Sequence, residues 1–433
     1  QGLFESAGKD TVLSGAGNEP VQSYALNGYA RGGFYGGQNS DDQAVISSAN
    51  SQLSLKLGIE PSGIGKAFAE VRLNAGTNRD SSSILCDVRE VWAAVSPGPF
   101  DIRLGRQIIS WGRADGVNPT NFITPKDVTA LSSEFDDTRL GNELLQVRVK
   151  IGQSNLQAIW IPRYRADVLP IDGAKIPAGI TIAQPDYPDM RLCNGGYALR
   201  SEWIFPSVDG SVSYFNGYTT LPGFDFSIGQ SGLSIVPHAY RIRAAGADFA
   251  TVLGSTGVRG EAALKYPFDD FAALVHVPNP YLEYVLGLDR SFGNWNMLFQ
   301  YSGLYVIDYE KIAQPVLSDP RDPLAQAAYA YALASAEIDE LNRLFTGTSD
   351  RISHSLVGNV QWNTLYETVH LKLAGMYNFT TKDYMINPSL SYDIADAVNL
   401  ALGGRHLDGP PGSLYRMVNN LMSFVYAELK ISF

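Results

Sequence analysis

The side chains that most often carry catalysis or hold metal ions are scarce in this sequence. Its 433 residues include five histidines and two cysteines. No two histidines lie within four residues of each other, as the ligands of a helical zinc site would. The segment GQSG at 229–232 lacks the spacing of a hydrolase nucleophile elbow, and no glycine-rich run joins a strand to a helix as a nucleotide site requires. The sequence therefore predicts no catalytic residue, no metal site and no cofactor, and indicates that the protein is not an enzyme.

Arginine and lysine are the residues whose spacing does suggest a chemistry. The chain has 33 basic and 44 acidic residues, a net charge of -11, which argues against a protein whose whole surface binds nucleic acid. In segments of alternating polarity, however, the polar face carries thirteen basic against six acidic side chains. A guanidinium group can donate two parallel hydrogen bonds to a carboxylate or phosphate. The residues predicted to contact an anionic solute are Arg103, Gln107, Arg148, Lys150, Arg200, Arg241, Arg243, Arg259, Lys265, Lys372 and Arg405.

Neighbouring carboxylates offer an alternative reading of the same charges. Pairs such as Glu70 with Arg72, Arg200 with Glu202, and Arg259 with Glu261 could neutralise each other across adjacent strands. Arg241 and Arg243 have no acidic neighbour on their own strand and are therefore the strongest candidates for contact with an anion.

Strands of period two must position these side chains. In ELLQVRVKIG, the residues Leu145, Val147, Val149 and Ile151 share one face, while the residues between them are polar. The composition agrees, because 42 glycines, 23 prolines and 11% aromatic residues favour strands and turns, and no run of 18 apolar residues forms a membrane helix. The predicted fold class is all-β.

Short and long connections alternate along the chain, which is the asymmetry of a transmembrane antiparallel β-barrel with short periplasmic turns and long extracellular loops. The pattern predicts about 18 strands, and sixteen is the alternative count. They are 22–38, 50–59, 66–76, 86–95, 100–111, 143–151, 154–163, 197–205, 210–220, 237–252, 257–267, 280–290, 295–308, 352–363, 367–380, 384–393, 397–406 and 415–433.

Two segments do not follow this alternation. Residues 322–345 are alanine-rich and predict a helix inside a long loop. Residues 1–21 are predicted to form a periplasmic tail or a small plug, so that 22–433 make one barrel domain.

The long segment 112–142 carries several charged residues and could fold into the pore and narrow it, or lie in solvent as an extracellular loop. Asp136 and Asp137 beside Arg139 could form a salt bridge within the loop or part of a constriction. Cys86 and Cys193 are both predicted on the extracellular side, where a disulfide between them is chemically allowed.

The sequence PFDIRLGRQIISWGRADGVNPTNFITPKD resembles a family of proteobacterial outer-membrane proteins of undefined function that is itself similar to the alginate-export porins. The resemblance spans residues 86–165 and rests on Leu104, Gly105, Arg106, Gln107, Trp111, Gly112, Asn118, Pro119, Asp136, Asp137 and Arg139. It implies a monomeric barrel whose lumen passes an organic solute, with Arg103 and Gln107 lining the pore. Strict alternation points Arg106 at lipid unless a β-bulge turns it inward. Some relatives resemble accessories of exporters of lipophilic compounds.

These observations together predict an integral protein of the bacterial (Gram-negative) outer membrane that acts as a porin-like channel for anionic organic solutes, including oligosaccharide-like ones. The alternatives are an accessory or structural barrel with a plugged lumen, and a channel for lipophilic or amphipathic compounds. The expected partners are outer-membrane lipid, a small anionic solute or oligosaccharide, and the barrel assembly machinery, which would engage the strand ending in Phe433. No nucleic acid partner is expected.

Overall fold

The computed structural model describes residues 24–38, 43–60, 65–78, 81–170, 179–229 and 232–433, so the tail or plug predicted at 1–21 lies outside them. The described residues form 21 β-strands and two α-helices. The strands are β1 (Tyr24–Gln38), β2 (Ala44–Ile59), β3 (Gly65–Asn78), β4 (Ser81–Val95), β5 (Phe100–Gln107), β6 (Asn142–Ile151), β7 (Ser154–Ile161), β8 (Ile180–Ile182), β9 (Gly196–Ile204), β10 (Val208–Tyr218), β11 (Gly223–Gly229), β12 (Gly232–His238), β13 (Arg241–Leu253), β14 (Thr256–Pro267), β15 (Tyr281–Phe292), β16 (Trp295–Val306), β17 (Ile352–Thr364), β18 (Val369–Asn378), β19 (Tyr384–Ala395), β20 (Val398–Asp408) and β21 (Phe424–Ser432). The helices are α1 (Pro323–Thr346) and α2 (Leu414–Met422).

Eighteen of these strands form one closed antiparallel barrel, which confirms the predicted fold class and strand count. Each barrel strand pairs with the next barrel strand along the chain, and β21 pairs back with β1 from Tyr29–Ser432 to Gly37–Phe424. The last residue extends this seam, because the Phe433 N–H donates to the Gly28 carbonyl at 3.0 Å and the Gly28 N–H donates to the Phe433 carbonyl at 2.9 Å.

Side chains alternate across the wall as the sequence predicts. On β18, for example, Leu371 and Leu373 are exposed on the outer surface, whereas Lys372 between them points into the lumen. Residues directly opposite each other on paired strands share a face, so this assignment extends around the barrel through the pairing register.

The connections differ from the predicted ones at two positions on the end of the barrel that carries the long loops, which is called the extracellular end below, and the opposite end the periplasmic end, after the predicted orientation. The predicted loops 39–49 and 77–85 are much shorter, because β1 and β2 extend to Gln38 and Ala44, and β3 and β4 extend to Asn78 and Ser81. The strands continue beyond their apolar parts because pairing between neighbouring strands gives the backbone N–H and C=O groups of these residues hydrogen-bond partners.

The last predicted strand, 415–433, is correct only in its second half. Its first half forms α2, which begins where the Ser413 hydroxyl accepts a hydrogen bond from the Arg416 N–H at 3.4 Å. The helix buries Val418 against the barrel, and the chain then enters β21 at Phe424. Neither helix of the described residues has the length and apolar character needed to cross a membrane.

A small cap lies among the extracellular loops. Helix α1 confirms the helix predicted at 322–345, and β8, β11 and β12 form a separate three-stranded sheet. The side chain of Asn342 joins helix and sheet, because its Oδ1 accepts from the Phe224 N–H at 2.7 Å and its Nδ2 donates to the Phe224 carbonyl at 2.8 Å and to the Val275 carbonyl at 2.9 Å. The cap therefore rests on a buried polar contact between three loops.

Candidate functional site

The connection between β5 and β6, residues 108–141, folds into the barrel and crosses its lumen; it is called the lumen loop below. Strand β5 ends at Gln107, earlier than predicted, because the Ile108 N–H donates to the inward Glu90 side chain at 2.8 Å instead of continuing the ladder. Of the two alternatives that the sequence left open for 112–142, the structure has the inward one.

An apolar core holds the base of the lumen loop against the inner wall. Trp111 and Phe122 are buried with Leu144, Phe215 and Ile242 from the surrounding strands. The Trp111 indole N–H also donates to Gln157 Oε1 at 3.0 Å, which satisfies its one polar group.

Glu261 on β14 anchors the next part of the lumen loop. Its carboxylate accepts hydrogen bonds from the backbone N–H groups of Arg113 and Ala114, and from the Thr120 hydroxyl at 3.1 Å. Arg113 in turn donates to Asp248 Oδ1 at 2.8 Å. The carboxylates of the barrel wall thus bind both backbone and side chain of the lumen loop.

Asp137 anchors the tip of the lumen loop to the opposite side of the barrel. Its carboxylate lies 2.7 Å from Arg31 on β1 and 2.7 Å from Arg72 on β3, and all three side chains are nearly inaccessible. Burial by itself raises the pKa of Asp137, but the charges of Arg31 and Arg72 and the Ser132 hydrogen bond outweigh it and hold that pKa well below the usual range. Asp137 is therefore part of the constriction.

The loop tip makes a second set of contacts with β21. The Ser133 N–H donates to Glu428 Oε1 at 3.0 Å, and the Lys430 ammonium lies 2.5 Å from Glu134 Oε1. In contrast, no hydrogen bond or ion pair between described residues joins the lumen loop to β18 or β19.

Nine of the eleven residues predicted to contact solute lie on the inner face of the barrel. They are Arg103, Gln107, Arg148, Lys150, Arg200, Arg259, Lys265, Lys372 and Arg405. Arg103 lies with its guanidinium 4.0 Å from the centre of the Trp92 ring, and Trp92 stacks on Phe68 at 5.6 Å. Gln107 is buried and donates to the Leu144 carbonyl at 3.2 Å.

Four of these nine have carboxylate partners, and the first is Arg103, which lies 3.9 Å from Asp101. Arg200 lies 3.5 Å from Glu202, and Lys265 lies 2.8 Å from Glu283. Arg259 lies 2.6 Å from Asp115 of the lumen loop and 3.2 Å from Asp289 on the neighbouring strand, while Glu261 binds loop backbone. The neutralising pairs expected at Glu70 with Arg72 and at Arg200 with Glu202 form as anticipated.

Four basic residues of the inner face have no carboxylate within ion-pair distance among the described residues: Arg148, Lys150, Lys372 and Arg405. Arg148 and Lys150 lie towards the periplasmic end of β6, and Lys372 lies on β18, to which the lumen loop makes no hydrogen bond or ion pair among the described residues. Arg405 packs against the Phe424 ring at 5.1 Å.

Arg241 and Arg243 do not line the lumen, contrary to the prediction that made them the strongest candidates. On β13 the buried, inward residues are Ile242 and Ala244, and the two arginines share the outer face with the exposed Phe249. The polarity is inverted here because the lumen loop supplies an apolar core inside the barrel, and Ile242 and Ala244 pack on that core.

The structure decides the orientation of Arg106, which the sequence left open. Arg106 points outwards, where it pairs across strands with Glu143 at 2.9 Å.

The predicted disulfide between Cys86 and Cys193 does not form. Cys86 and Cys193 are both free and exposed. Arg241, on β13, donates to the Cys193 carbonyl, whereas Cys86 lies on β4, separated from β9 by three strands, or about 19 Å at the usual strand spacing. That separation rules out the disulfide in this fold.

Arg31 was not among the predicted lumen residues, although it holds Asp137 in the constriction. It lies on the polar face of β1, and its neighbours Gly32 and Gly33 obscure the alternation that marks the other strands. No group of three or more histidine, cysteine, aspartate or glutamate side chains in the described ranges could hold a metal ion.

Two histidines give the extracellular cap an expected response to acid. The His238 and His276 rings stack at 4.8 Å, and His276 Nδ1 lies 3.4 Å from Asp225 Oδ2. Burial, and then the nearby His238, lower the pKa of His276. The native cap therefore binds fewer protons than the opened one, so its stability falls as the pH drops from the ordinary histidine value of 6.5 through the lowered pKa.

We expect the amides of β11 and β12 to exchange with solvent faster at about pH 5 than at about pH 7. Hydrogen exchange of the intact protein measures this, and His276→Gln should flatten the dependence. Outward-facing His354→Gln is the matched control and should leave it unchanged; equal pH dependence in both variants would contradict the assignment.

Comparisons with known proteins agree with this architecture. A family model described as a protein of unknown function, DUF1302, matches residues 87–269, which include most of the segment whose sequence resembles outer-membrane proteins. No curated protein matches the chain. The predicted relation to alginate-export porins stays a prediction.

Several solved barrels share the fold. A BenF-like porin from Pseudomonas fluorescens aligns with a TM-score of 0.57 at 8% identity, over 95% of this chain and 98% of that one. OccK2 (OpdF) of Pseudomonas aeruginosa in complex with glucuronate aligns at 0.54 and 9% identity, over 95% and 97%. OpdK of the same species with vanillate aligns at 0.54 and 10% identity, over 95% and 98%. At such identities the likeness shows the fold, which is that of outer-membrane porins.

Proposed function

We propose that this chain is a channel of the bacterial outer membrane through which small anionic organic solutes pass without energy input. The observation that carries the proposal is the set of four lumen residues without carboxylate partners, Arg148, Lys150, Lys372 and Arg405, in a barrel narrowed by its own loop. Most other charges of the constriction are paired and hold the lumen loop, so these four dominate the field that a moving ion meets.

The path that we propose runs between the lumen loop and the inner faces of β18 and β19. The loop binds β14 through Glu261 and β1 and β3 through Asp137, but makes no hydrogen bond or ion pair to β18 or β19 among the described residues. Lys372 lies on β18, Arg405 lies on the neighbouring β20, and Arg148 and Lys150 lie towards the periplasmic exit.

Carboxylates are the anions that we favour as cargo. A guanidinium fork matches a carboxylate with two hydrogen bonds, and two of the structurally similar porins were crystallised with glucuronate and vanillate, which are both carboxylates. Arg103 against Trp92, which stacks on Phe68, adds a flat apolar surface beside a cation near the periplasmic end. Such a surface suits the ring of a sugar acid and supports oligosaccharide-like solutes as members of the class.

The proposal includes the surroundings of the barrel. The outward apolar side chains would contact outer-membrane lipid, and β21 with Phe433 would be the segment that the assembly machinery engages.

Ion selectivity in a planar bilayer tests the function. The reversal potential under a salt gradient should show preference for anions over cations. Changing Arg148, Lys150, Lys372 and Arg405 together to Gln should lower that preference on the order of tenfold, because these residues concentrate anions in the lumen. Arg290→Gln, which removes an exposed cation from the outer face near the periplasmic end of β15, is the matched control and should have no effect. Cation preference or absence of conductance in the unmodified protein would refute the proposal.

A further inference from the structure

Arg241 and Arg243 form a pair of cations on the outside of the barrel, where a lipid-facing wall normally carries none. They are the first and third residues of β13, at its extracellular end. The arginine cost on the lipid face is about 2–4 kcal/mol at the membrane midplane and falls to about 0–1 kcal/mol at the interface. Their position at the strand end therefore suits the headgroup layer.

Outward aromatic residues mark the same height on the barrel. Tyr266 lies directly opposite Arg243 on β14 and is exposed, and Tyr197, Tyr214 and Tyr305 are exposed near the extracellular ends of their strands. Such a girdle lies where hydrocarbon meets headgroups. Arg243 therefore lies at the level where hydrocarbon meets headgroups. Arg241 lies about 7 Å further towards the extracellular side, because two residues of an extended strand span that distance.

Neither guanidinium has a carboxylate partner within the described residues. Arg243 contacts the Phe268 ring at 4.2 Å. Arg241 donates to the Cys193 and Gly195 carbonyls at 3.1 and 3.3 Å and to Asn216 Oδ1 at 3.0 Å, and its Nε–H has no acceptor. The Asp269 carboxylate accepts a hydrogen bond from the backbone N–H of Arg241 at 3.5 Å, not from its guanidinium group.

A strap with two exposed apolar side chains accompanies the two arginines. The strap comprises residues 190–195, and its end lies against the outer wall, since Arg241 donates to the Cys193 carbonyl and a side-chain carbon at Gly195 would lie 2.9 Å from the Trp160 indole nitrogen. Met190 and Leu192 on this strap are exposed. Cations next to exposed apolar side chains are the complement of an amphiphile with an anionic head.

We propose that Arg241 and Arg243 bind the phosphate group of a phosphorylated lipid in the outer leaflet, with the strap residues Met190 and Leu192 against its chains. Arg243 offers an exposed guanidinium fork, and Arg241 holds the strap while contributing its charge. The inference rests on the proposed membrane insertion but is independent of solute transport.

Lipid binding to the purified, detergent-solubilised full chain tests the site. Diphosphorylated lipid A is titrated in mixed micelles, and bound lipid is counted by native mass spectrometry. Arg243→Gln is the primary variant, because Arg241 also holds the strap and its loss could disturb the loop. The affinity should fall at least about tenfold, the effect of losing one charged hydrogen-bonded contact. Arg243→Lys should retain part of the affinity, and Arg290→Gln, at the periplasmic end of the same outer surface, should retain all of it.

Two further measurements show whether the bound phosphate belongs to a lipid or is free phosphate. Dephosphorylated lipid A should bind as weakly to the unmodified protein as diphosphorylated lipid A binds to the Arg243→Gln variant, and inorganic phosphate should not displace the lipid. Equal lipid binding by the unmodified protein and Arg243→Gln, equal binding of the dephosphorylated lipid, or displacement by free phosphate would each overturn the proposal. Conductance should be unchanged in Arg243→Gln, so a failed channel experiment and a failed lipid experiment can be told apart.

Discussion

Replacing Asp137 by alanine is expected to release the tip of the lumen loop and to raise the single-channel conductance of the barrel. The substitution leaves Arg31 and Arg72 buried without their shared carboxylate, since each now lies 2.7 Å from it. Removing one member of a buried ion pair costs about 3–5 kcal/mol. Here we expect this cost to weaken the docking of the loop rather than the barrel, because the backbone hydrogen bonds of the wall remain. Planar-bilayer recording of the variant measures the change.

The adjacent Asp136 provides the matched control. Its side chain is 41% exposed against 6% for Asp137, and its carboxylate lies 3.4 Å from Arg139 of the same loop. An exposed pair of this kind contributes less than about 1 kcal/mol, so Asp136→Ala should conduct like the unmodified protein. Equal conductance of the two variants would show that Asp137 does not hold the loop tip.

Acid should not reproduce the effect of removing Asp137 until the pH is very low. The pKa of Asp137 is depressed in the folded protein, so its contribution is complete above the ordinary carboxyl value and is lost only as the pH falls through the depressed pKa. We therefore expect that titration of Asp137 does not change the conductance between about pH 7 and about pH 4.

Replacing Trp111 by alanine is expected to detach the base of the lumen loop. The side chain is 2% exposed inside the barrel, and its loss leaves a large cavity and an unpaired Gln157. Large aromatic-to-alanine changes in cores cost about 3–5 kcal/mol. Limited proteolysis of the detergent-solubilised protein should then show new cleavage within 108–141, together with increased current fluctuations.

Phe135, at the other end of the same loop, serves as the control for Trp111. It is 46% exposed, so Phe135→Ala removes an aromatic side chain of comparable chemistry without opening the core. Its proteolysis pattern should match that of the unmodified protein. Protection of the loop in Trp111→Ala would show that the apolar core does not hold it.

The wall of the barrel was predictable because one physical constraint repeats along it. A strand with lipid on one side and polar side chains on the other must alternate, and β6 does so from Leu145 to Ile151 and β21 from Val425 to Ser432. The short turns followed from glycine and proline, and α1 followed from its alanine-rich composition.

The prediction failed where the interior of the barrel is not polar. The lumen loop places Trp111 and Phe122 inside, so β13 presents Ile242 and Ala244 inwards and its arginines outwards. Alternation alone identifies the two faces of a strand but not which face meets lipid. Near a strand end both faces can carry polar residues, so polarity does not distinguish the inner face from the outer one. A long-range loop contact decided the orientation, and no local pattern encodes such a contact.

Pairing between acids and bases was predictable only for residues close in sequence. Glu70 with Arg72 was recognised, but the partners of Asp137 are 106 and 65 residues away from it. Arg259 pairs with Asp115 of the loop and with Asp289 of the next strand, and the pairing with Asp115 depends on where the loop lies, because Glu261 binds loop backbone.

The seam between β1 and β21 imposes an order of events on folding. Tyr35 and Glu428, which bond across it, are 393 residues apart, so the two margins of the wall cannot join until synthesis of the intervening chain is finished. Until then the growing sheet has two unpaired margins that could recruit another chain. A cell that makes this protein must consequently shield a nearly complete but open cylinder, and the joining of its first and last segments is the step that ends this exposure.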